Sequence, residues 1–199
     1  MLESRKEYKF VISGNELENF KNLNSKNLKV LHESRFIESL YFDTWDLELY
    51  KSSFNLDIDK YKYRLRKGID GKIYSEIKMN KANGKFKEKN LTHFKSLDQT
   101  ESIFYHNMSL HPTLYVSYSR EYLNLNNSVR VTIDQNIYYK SSKKRSLLEI
   151  NKQSHNVILE YKFLDNKKLD IENYFFKNPV TFSKYVDGIN RVYKERNNF

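Results

Sequence analysis

The sequence predicts an α+β protein built on an antiparallel, closed β-barrel with a charged interior, its outer faces flanked by α-helices. Three observations predict it. First, six stretches alternate residue by residue between apolar and charged positions, the period of a strand with one greasy and one ionic face. They are RKEYKFVI, with Arg5, Glu7 and Lys9 on one parity, and KYRLRK, with Lys62, Arg64 and Arg66. YSEIKM carries Glu76 and Lys78, LYVSYSREYL carries Arg120, SVRVTID carries Arg130, Thr132 and Asp134, and VILEYKF carries Glu160 and Lys162. Second, turn signals such as Asp70-Gly71 and the run NLNN join neighbouring stretches as hairpins. Third, the ionic rows are dominated by Lys, Arg and Glu. Such rows face water in an ordinary half-buried sheet; facing one another across a closed barrel, they would form a charged bore.

Along the chain, a strand is expected over residues 4–12, followed by a helix capped by Ser13 or Asn15 with Leu17, Phe20 and Leu23 on one side. A strand at 36–43 ends in YFDT and precedes a short helical turn with Leu47, Leu49 and Tyr50. Strands at 60–67 and 72–80 flank the GIDG hairpin, and Asn83-Gly84 marks a second turn into the basic run KFKEKN. Leu97, Ile103 and Phe104 suggest a helix over 95–107, ending before Pro112. Strands at 113–123 and 128–135, an irregular continuation over 136–140 and a strand at 156–163 follow. The last region, from Asp170, reads as helix in two pieces broken at Asn178-Pro179, with Tyr185, Ile189 and Val192 on one face. Seven or eight strands close comfortably into a barrel, and the helices then cover its apolar outside.

Composition narrows the function classes. The 199 residues fit a single domain, 1–199, with no internal repeat and no low-complexity linker. The hydrophobic share is only 39%, but 16 Tyr and 13 Phe supply the burial that Leu and Val usually give, which argues for a folded chain. Cysteine is absent, so disulfides, thiolate metal sites and a cysteine nucleophile are excluded. His32, His93, His106, His111 and His155 are scattered without metal spacing, and the five glycines form no dinucleotide or Walker loop. MLESRKEYKF carries charge from residue 3 and no window reaches the length of a membrane span, so a cytoplasmic location is expected. The net charge is +10, and residues 60–89 hold 11 Lys or Arg against the three acids Asp70, Glu76 and Glu88. That excess favours a polyanion: nucleic acid, polyphosphate, a nucleotide or an acidic membrane. The tyrosines of LYVSYSREY fall on both parities, as packing residues do, which argues against a base-stacking nucleic-acid face.

The ordered set Arg5-x-Glu7-x-Lys9-Phe10, Tyr41-Phe42-Asp43-Thr44, Arg64-x-Arg66, Glu76-x-Lys78, Tyr118-x-Arg120, Arg130-x-Thr132-x-Asp134, Ile158-Leu159-Glu160-x-Lys162 and Phe182-Ser183-Lys184-Tyr185 resembles the VTC catalytic domain. That domain is the polyphosphate polymerase module of the triphosphate tunnel metalloenzyme superfamily, and the resemblance runs from residue 5 to about 193. It implies a metal-dependent phosphotransferase that takes ATP, triphosphate or polyphosphate into a basic tunnel. Lys9, Arg64, Arg66, Lys78, Arg120 and Arg130 would grip phosphates, joined by Lys162, with Ser183 and Lys184 near one mouth. Lys87, with Lys81 and Lys85, would meet the phosphate chain at the entrance or serve as ordinary solvated lysines.

Glu160 is the implied metal ligand, assisted by Glu7 and Glu76, for Mn²⁺ or Mg²⁺. Glu7 and Glu76 have a second reading as internal counter-ions, and Asp134 is a further candidate. Tyr41, Phe42 and Asp43 read as structural, with Asp43 fixing a turn. One departure concerns the chemistry. Hydrolytic relatives resemble E-x-E-x-K at the N-terminus, whereas the first acid is replaced here by Arg5, which tilts the reading from hydrolysis toward transfer. A triphosphatase in the same fold, and a non-catalytic polyanion-binding module, are the alternatives. A separate membrane partner remains compatible with the sequence.

Overall fold

The computed structural model describes residues 5–55, 59–81, 84–98, 101–143, 149–164 and 177–194. Ten strands form one sheet: β1 (Arg5–Ile12), β2 (Leu28–Asp43), β3 (Lys60–Lys67), β4 (Ile73–Lys81), β5 (Gly84–Leu91), β6 (Ile103–Tyr105), β7 (Met108–Leu125), β8 (Val129–Ser141), β9 (Asn151–Ser154) and β10 (Val157–Leu164). The helices are α1 (Gly14–Leu23), α2 (Glu48–Ser52) and α3 (Lys184–Ile189), the last continuing into a single π-helical turn, Asn190–Lys194. The hydrogen-bonded order is β1-β10-β8-β7-β2-β3-β4-β5, with β6 on β7 and β9 on β8. Among the described residues this ladder is an open path from β1 to β5, so hydrogen bonds do not complete the closure expected of the barrel.

The chain divides into two compact units. The first comprises Met1–Phe36, Tyr118–Ile137 and Gln153–Phe182. Here the antiparallel register pairs Lys9 with Glu160 and Glu7 with Lys162, and then Glu160 with Thr132 and Lys162 with Arg130. Those residues share one face. The alternate positions Phe10, Ile12, Val131, Ile133, Leu159, Tyr161 and Phe163 share the other and form a core with Leu17 and Phe20 of α1. α1 begins at a capping box, in which the Glu16 amide donates to Ser13 Oγ at 3.3 Å and the Ser13 amide donates to Glu16 Oε2 at 2.8 Å. Leu23, expected on the buried side, is instead exposed. The hairpin between β7 and β8 turns at Asn126 and Asn127, both with positive φ (52° and 55°), a conformation asparagine tolerates better than most residues.

The second unit comprises Ile37–Ser117, Tyr138–Lys152 and Ser183–Phe199. Its strand pairs place Ser39 and Tyr41 opposite Arg66 and Arg64, and these opposite Tyr74 and Glu76. The other face carries Leu40, Phe42, Leu65 and Ile73, packed with Leu49 of α2, Leu97 and Leu110. Tyr185, Ile189 and Val192 are buried, as the spacing of the last helix predicted. Gly188 lies so close to the Leu114 and Tyr139 side chains that a Cβ there would meet them at 2.5 and 2.6 Å.

Several expectations are corrected. The described residues of 95–107 form no helix: Ile103–Tyr105 is a strand that turns back onto β7 through His106 and Asn107, whose φ values of 45° and 60° suit a tight hairpin and break a helix. Isoleucine and two aromatics in succession favour the strand. Pro112 lies inside β7 and does not follow a helix. KFKEKN forms β5, β2 starts eight residues earlier than expected, and β9 was not foreseen. The helix piece expected over 170–176, the residues Ala82 and Asn83, and the side chains of Arg5, Lys81 and Lys85 lie outside the described residues.

Phe20 carries the packing of α1 on the first unit's apolar face, with its ring 6.1 Å from that of Tyr161. Phe20→Ala should lower the unfolding free energy by about 3 kcal/mol. Urea unfolding followed by circular dichroism checks it; an unchanged midpoint would mean that α1 does not seal this face.

Candidate functional site

In both units the face opposite the hydrophobic core carries ions, and many of those ions are themselves buried. In the second unit, side-chain exposure is 4% for Glu76, 11% for Arg64 and 18% for Arg66. Charges removed from water must be paired, and the pairing here is dense. Arg64 Nε donates to Glu76 Oε2 at 2.9 Å, its Nη2 donates to the same oxygen, and its Nη1 donates to the Tyr41 hydroxyl oxygen at 2.9 Å. Arg66 Nη1 stands 3.8 Å from Glu76 Oε2 while its Nε donates to Ser39 Oγ at 3.2 Å. Lys87 Nζ donates to Glu76 Oε1 at 3.1 Å.

Burial pushes the Glu76 pKa up, but Arg64, Arg66 and Lys87 outweigh it and hold the carboxyl down at about 2. Across β3, β4 and β5, Glu76 is the acid on this face among the described residues, against Lys62, Arg64, Arg66, Lys78, Lys87 and Lys89. The cations outnumber their internal counter-charge. Lys78 is exposed and lies in register between Lys62 and Lys87, a row of three lysines.

The first unit has its own ionic cluster. Lys9 Nζ stands 2.9 Å from Glu7 Oε1 and 3.9 Å from Glu160 Oε2, while Lys162 Nζ stands 2.6 Å from Glu160 Oε1 and 3.6 Å from Glu7 Oε2. Both lysines therefore bridge both carboxylates. Lys9 also donates to the Phe182 carbonyl at 3.3 Å. Beside them Arg120 grips Asp134 bidentately, Nε to Oδ1 at 2.5 Å and Nη2 to Oδ2 at 2.7 Å, with Asp134 only 1% exposed. Burial disfavours the Arg120 charge, but Asp134, Tyr118 and Glu160 more than restore it, so the guanidinium stays protonated. Arg130 is exposed, with its guanidinium 5.6 Å from the centroid of the Tyr122 ring. Thr132, in register with Glu160, has a buried hydroxyl with no hydrogen-bond partner among the described residues.

The expected site residues thus divide. Arg64, Arg66, Glu76 and Lys87 meet in the second unit; Glu7, Lys9, Glu160 and Lys162 meet in the first, where Arg120 pairs with Asp134. Ser183 accepts from the Val186 amide at 3.4 Å as the N-cap of α3, and Lys184 opens that helix. Asp43 does fix a turn, accepting from the amides of Thr44, Leu49 and Tyr50 at 2.8, 2.8 and 2.9 Å and from the Tyr185 hydroxyl. Burial raises its pKa. Tyr41, read from the sequence as structural, also joins the ionic cluster as the acceptor from Arg64. Its link to Arg64 exists only in the β2–β3 register, which no local pattern announces.

A divalent metal is implied by the family resemblance. Among the described residues no three Asp, Glu, His or Cys side chains gather into a cage. Glu7 and Glu160 nevertheless fit: a small hard cation is commonly held by one or two carboxylates with phosphate oxygens completing the shell. Glu76 fits less well, because three cations already hold it. No helix among the described residues is long and apolar enough to cross a membrane.

The architecture is shared with solved structures of very low sequence identity. A Vibrio parahaemolyticus protein described as a candidate adenylate cyclase aligns at TM-score 0.53 and 12% identity, covering 91% of this chain and 95% of its own. A protein of Pyrococcus horikoshii OT3 aligns at 0.55 and 11%, covering 94% and 99%. A Hippeastrum adenylyl cyclase candidate, described as revealing a dominant triphosphatase activity, aligns at 0.50 and 10%, covering 94% and 95%. These likenesses define the fold class. The family follows from the sequence itself: the model described as the VTC domain matches residues 4–101 and 92–193. The chain belongs to the VTC domain family. No curated protein matches the sequence.

Because the Glu76 pKa is depressed on folding from 4.5 to about 2, its contribution to stability is complete above the unfolded value and is lost as pH falls through the folded one. The unfolding free energy should decline between those limits by on the order of 2 kcal/mol from this group. Glu76→Gln should flatten the decline in acid unfolding curves, and an unaltered slope would show that the three cations do not act on it.

Proposed function

We propose that this protein is a phosphotransferase of the polyphosphate polymerase type, which binds ATP, triphosphate or polyphosphate through the cations of its ionic sheet faces. The observation that supports this most is the gathering of Lys62, Arg64, Arg66, Lys78, Lys87 and Lys89 on one partly buried face, where Glu76 is the acid among the described residues. Positive charge gathered along one sheet face draws a polyanion to it, and a triphosphate is a chain of evenly spaced negative charges.

Arg66 and Lys78 would hold phosphoryl oxygens, the arginine through its planar donors and the lysine as a mobile charge. Arg64, fixed by Glu76 and Tyr41, would present its charge in a set orientation. Lys9 and Lys162 would exchange Glu7 and Glu160 for phosphate oxygens as the substrate arrives. Glu160 and Glu7 are the proposed ligands of Mg²⁺ or Mn²⁺, which when bound supplies charge neutralisation at the transferring phosphoryl group. The reaction is attack of a terminal phosphate oxygen of the acceptor chain on the γ-phosphorus, with cleavage of its bond to the β–γ bridging oxygen and departure of the nucleoside diphosphate. The protein's share is positioning and electrostatic stabilisation, since such a transfer asks little covalent work of side chains.

Purified protein incubated with ATP and Mn²⁺, with products separated by size, should yield phosphate chains longer than triphosphate together with ADP. Release of inorganic phosphate alone would replace the reading with a triphosphatase, and unchanged ATP that is nevertheless bound would replace it with a polyanion-binding module. Arg66→Ala leaves Glu76 with Arg64 and Lys87, so the fold should persist while triphosphate affinity falls about tenfold or more. Calorimetric titration checks this, and equal affinity would remove Arg66 from the site.

A further inference from the structure

Tyr41 is held among cations in a manner that its packing alone does not require. Its residue exposure is 7%, and its ring stacks on Tyr185 at 5.1 Å between centroids and 20° between planes. The two hydroxyls are treated differently. Tyr185 donates its proton to Asp43, whereas the Tyr41 oxygen accepts from Arg64 Nη1 at 2.9 Å, the one hydrogen bond it makes among the described residues. A buried hydroxyl that accepts a charge-assisted hydrogen bond, and offers its proton to no side chain, is placed to lose that proton.

The groups around it favour the anion. From β3 come Arg64 and Arg66, and from α3 Lys184. Acid charge on the neighbouring elements is already engaged. Glu76 on β4 is held by Arg64, Arg66 and Lys87, and Asp43 on β2 by three amides and Tyr185. Asp187 on α3 accepts from the Tyr139 hydroxyl and from Arg191. Burial works to raise the Tyr41 pKa, but Arg64, Arg66 and Lys184 overcome it and bring the phenol down to about 7. Lys184, expected near a mouth of the site, therefore also acts on Tyr41.

We propose that Tyr41 is a positioning residue of the anion site that serves as a phenolate counter-ion to Arg64 while the site is empty and takes up a proton when a phosphate chain claims the arginine charges. This rests on the reading of the second unit's cations as a phosphate-binding face. The phenolate and the phosphate compete for one positive field, so each weakens the other. Binding of triphosphate is consequently coupled to proton uptake at Tyr41, and affinity falls as pH rises above neutrality. The neutral phenol left behind still holds Nη1 of Arg64, so the guanidinium stays oriented.

The test has two arms. In the first, without ligand, the ultraviolet absorbance of the whole protein is followed from about pH 6 to pH 9, a range below ordinary tyrosine ionisation. One phenolate transition should appear near neutrality and be missing from Tyr41→Phe, which keeps the stack on Tyr185. In the second, inorganic triphosphate is titrated calorimetrically at about pH 8 in buffers of different ionisation heat, so that released and absorbed protons are counted. Wild type should absorb close to one proton more per bound triphosphate than Tyr41→Phe, and the variant's affinity should depend less steeply on pH.

If triphosphate binds with equal proton uptake in both proteins, the inference falls and the phosphate-binding reading stands. If the neutral transition is present but triphosphate does not bind, the binding reading fails, and with it the coupling. Should the variant not fold, a wild-type titration lacking any phenolate below the ordinary tyrosine range overturns the inference on its own.

Discussion

An ionised side chain withdrawn from water has to find opposite charge, and most of this structure is arranged around that requirement. A sheet with one hydrophobic face normally turns the other toward solvent. Here, in each unit, the second face holds ions largely out of water, Glu160, Asp134 and Arg120 in one and Glu76 and Arg64 in the other, and each has a partner on the same face in an adjacent strand. The two-residue period of the strand makes this arrangement possible. It puts the whole ionic set on one side and leaves Phe10, Leu159 and Tyr161 in the first unit, or Leu40, Phe42 and Leu65 in the second, for the core on the other. α1, α2 and the segment around Leu97 then have an evident role: they seal the apolar faces.

The two kinds of cation are used differently. Arginines make fixed, multi-donor contacts, Arg64 to Glu76 and Tyr41, Arg120 to both oxygens of Asp134. Lysines such as Lys9 and Lys162 bridge two carboxylates at unequal distances, from 2.6 to 3.9 Å, as mobile point charges do. Within the first unit this gives a rigid part, Arg120 on Asp134, and an exchangeable part, Glu7 and Glu160, whose carboxylates would be released to a metal ion in the proposed function. That second part accommodates charge as it arrives.

The alternation of Arg5 to Ile12, Lys60 to Lys67, Val129 to Asp134 and Val157 to Phe163 was legible in the sequence because every residue of a strand reports its face. So were the cap of α1, narrowed to Ser13 or Asn15 before the structure chose Ser13, and the Asn126-Asn127 turn. The false helix over 95–107 arose because three apolar residues were read at helical spacing while the turn-forming pair His106-Asn107 went unweighted. The first half of β2, LKVLHESR, mixes charge and apolar residues without a period and has no buried face to impose one. Among site residues, the row membership of Lys9, Arg64, Arg66 and Glu160 was visible. What each touches was not, because register is a long-range property. Glu76 as the counter-ion of three cations and Tyr41 as a partner of Arg64 depend on separate strands, whereas Ser183 caps α3 locally, through the Val186 amide three residues on.

The central claim is that the surplus cations of the ionic faces exist to hold a phosphate chain. A crystal structure of the protein soaked with a slowly reacting triphosphate analogue and Mn²⁺ tests it most directly. The account predicts phosphoryl oxygens within hydrogen-bonding distance of Arg66 and Lys78. Analogue bound only to exposed loop lysines, with the Arg64–Glu76 and Lys162–Glu160 pairs undisturbed, would contradict it.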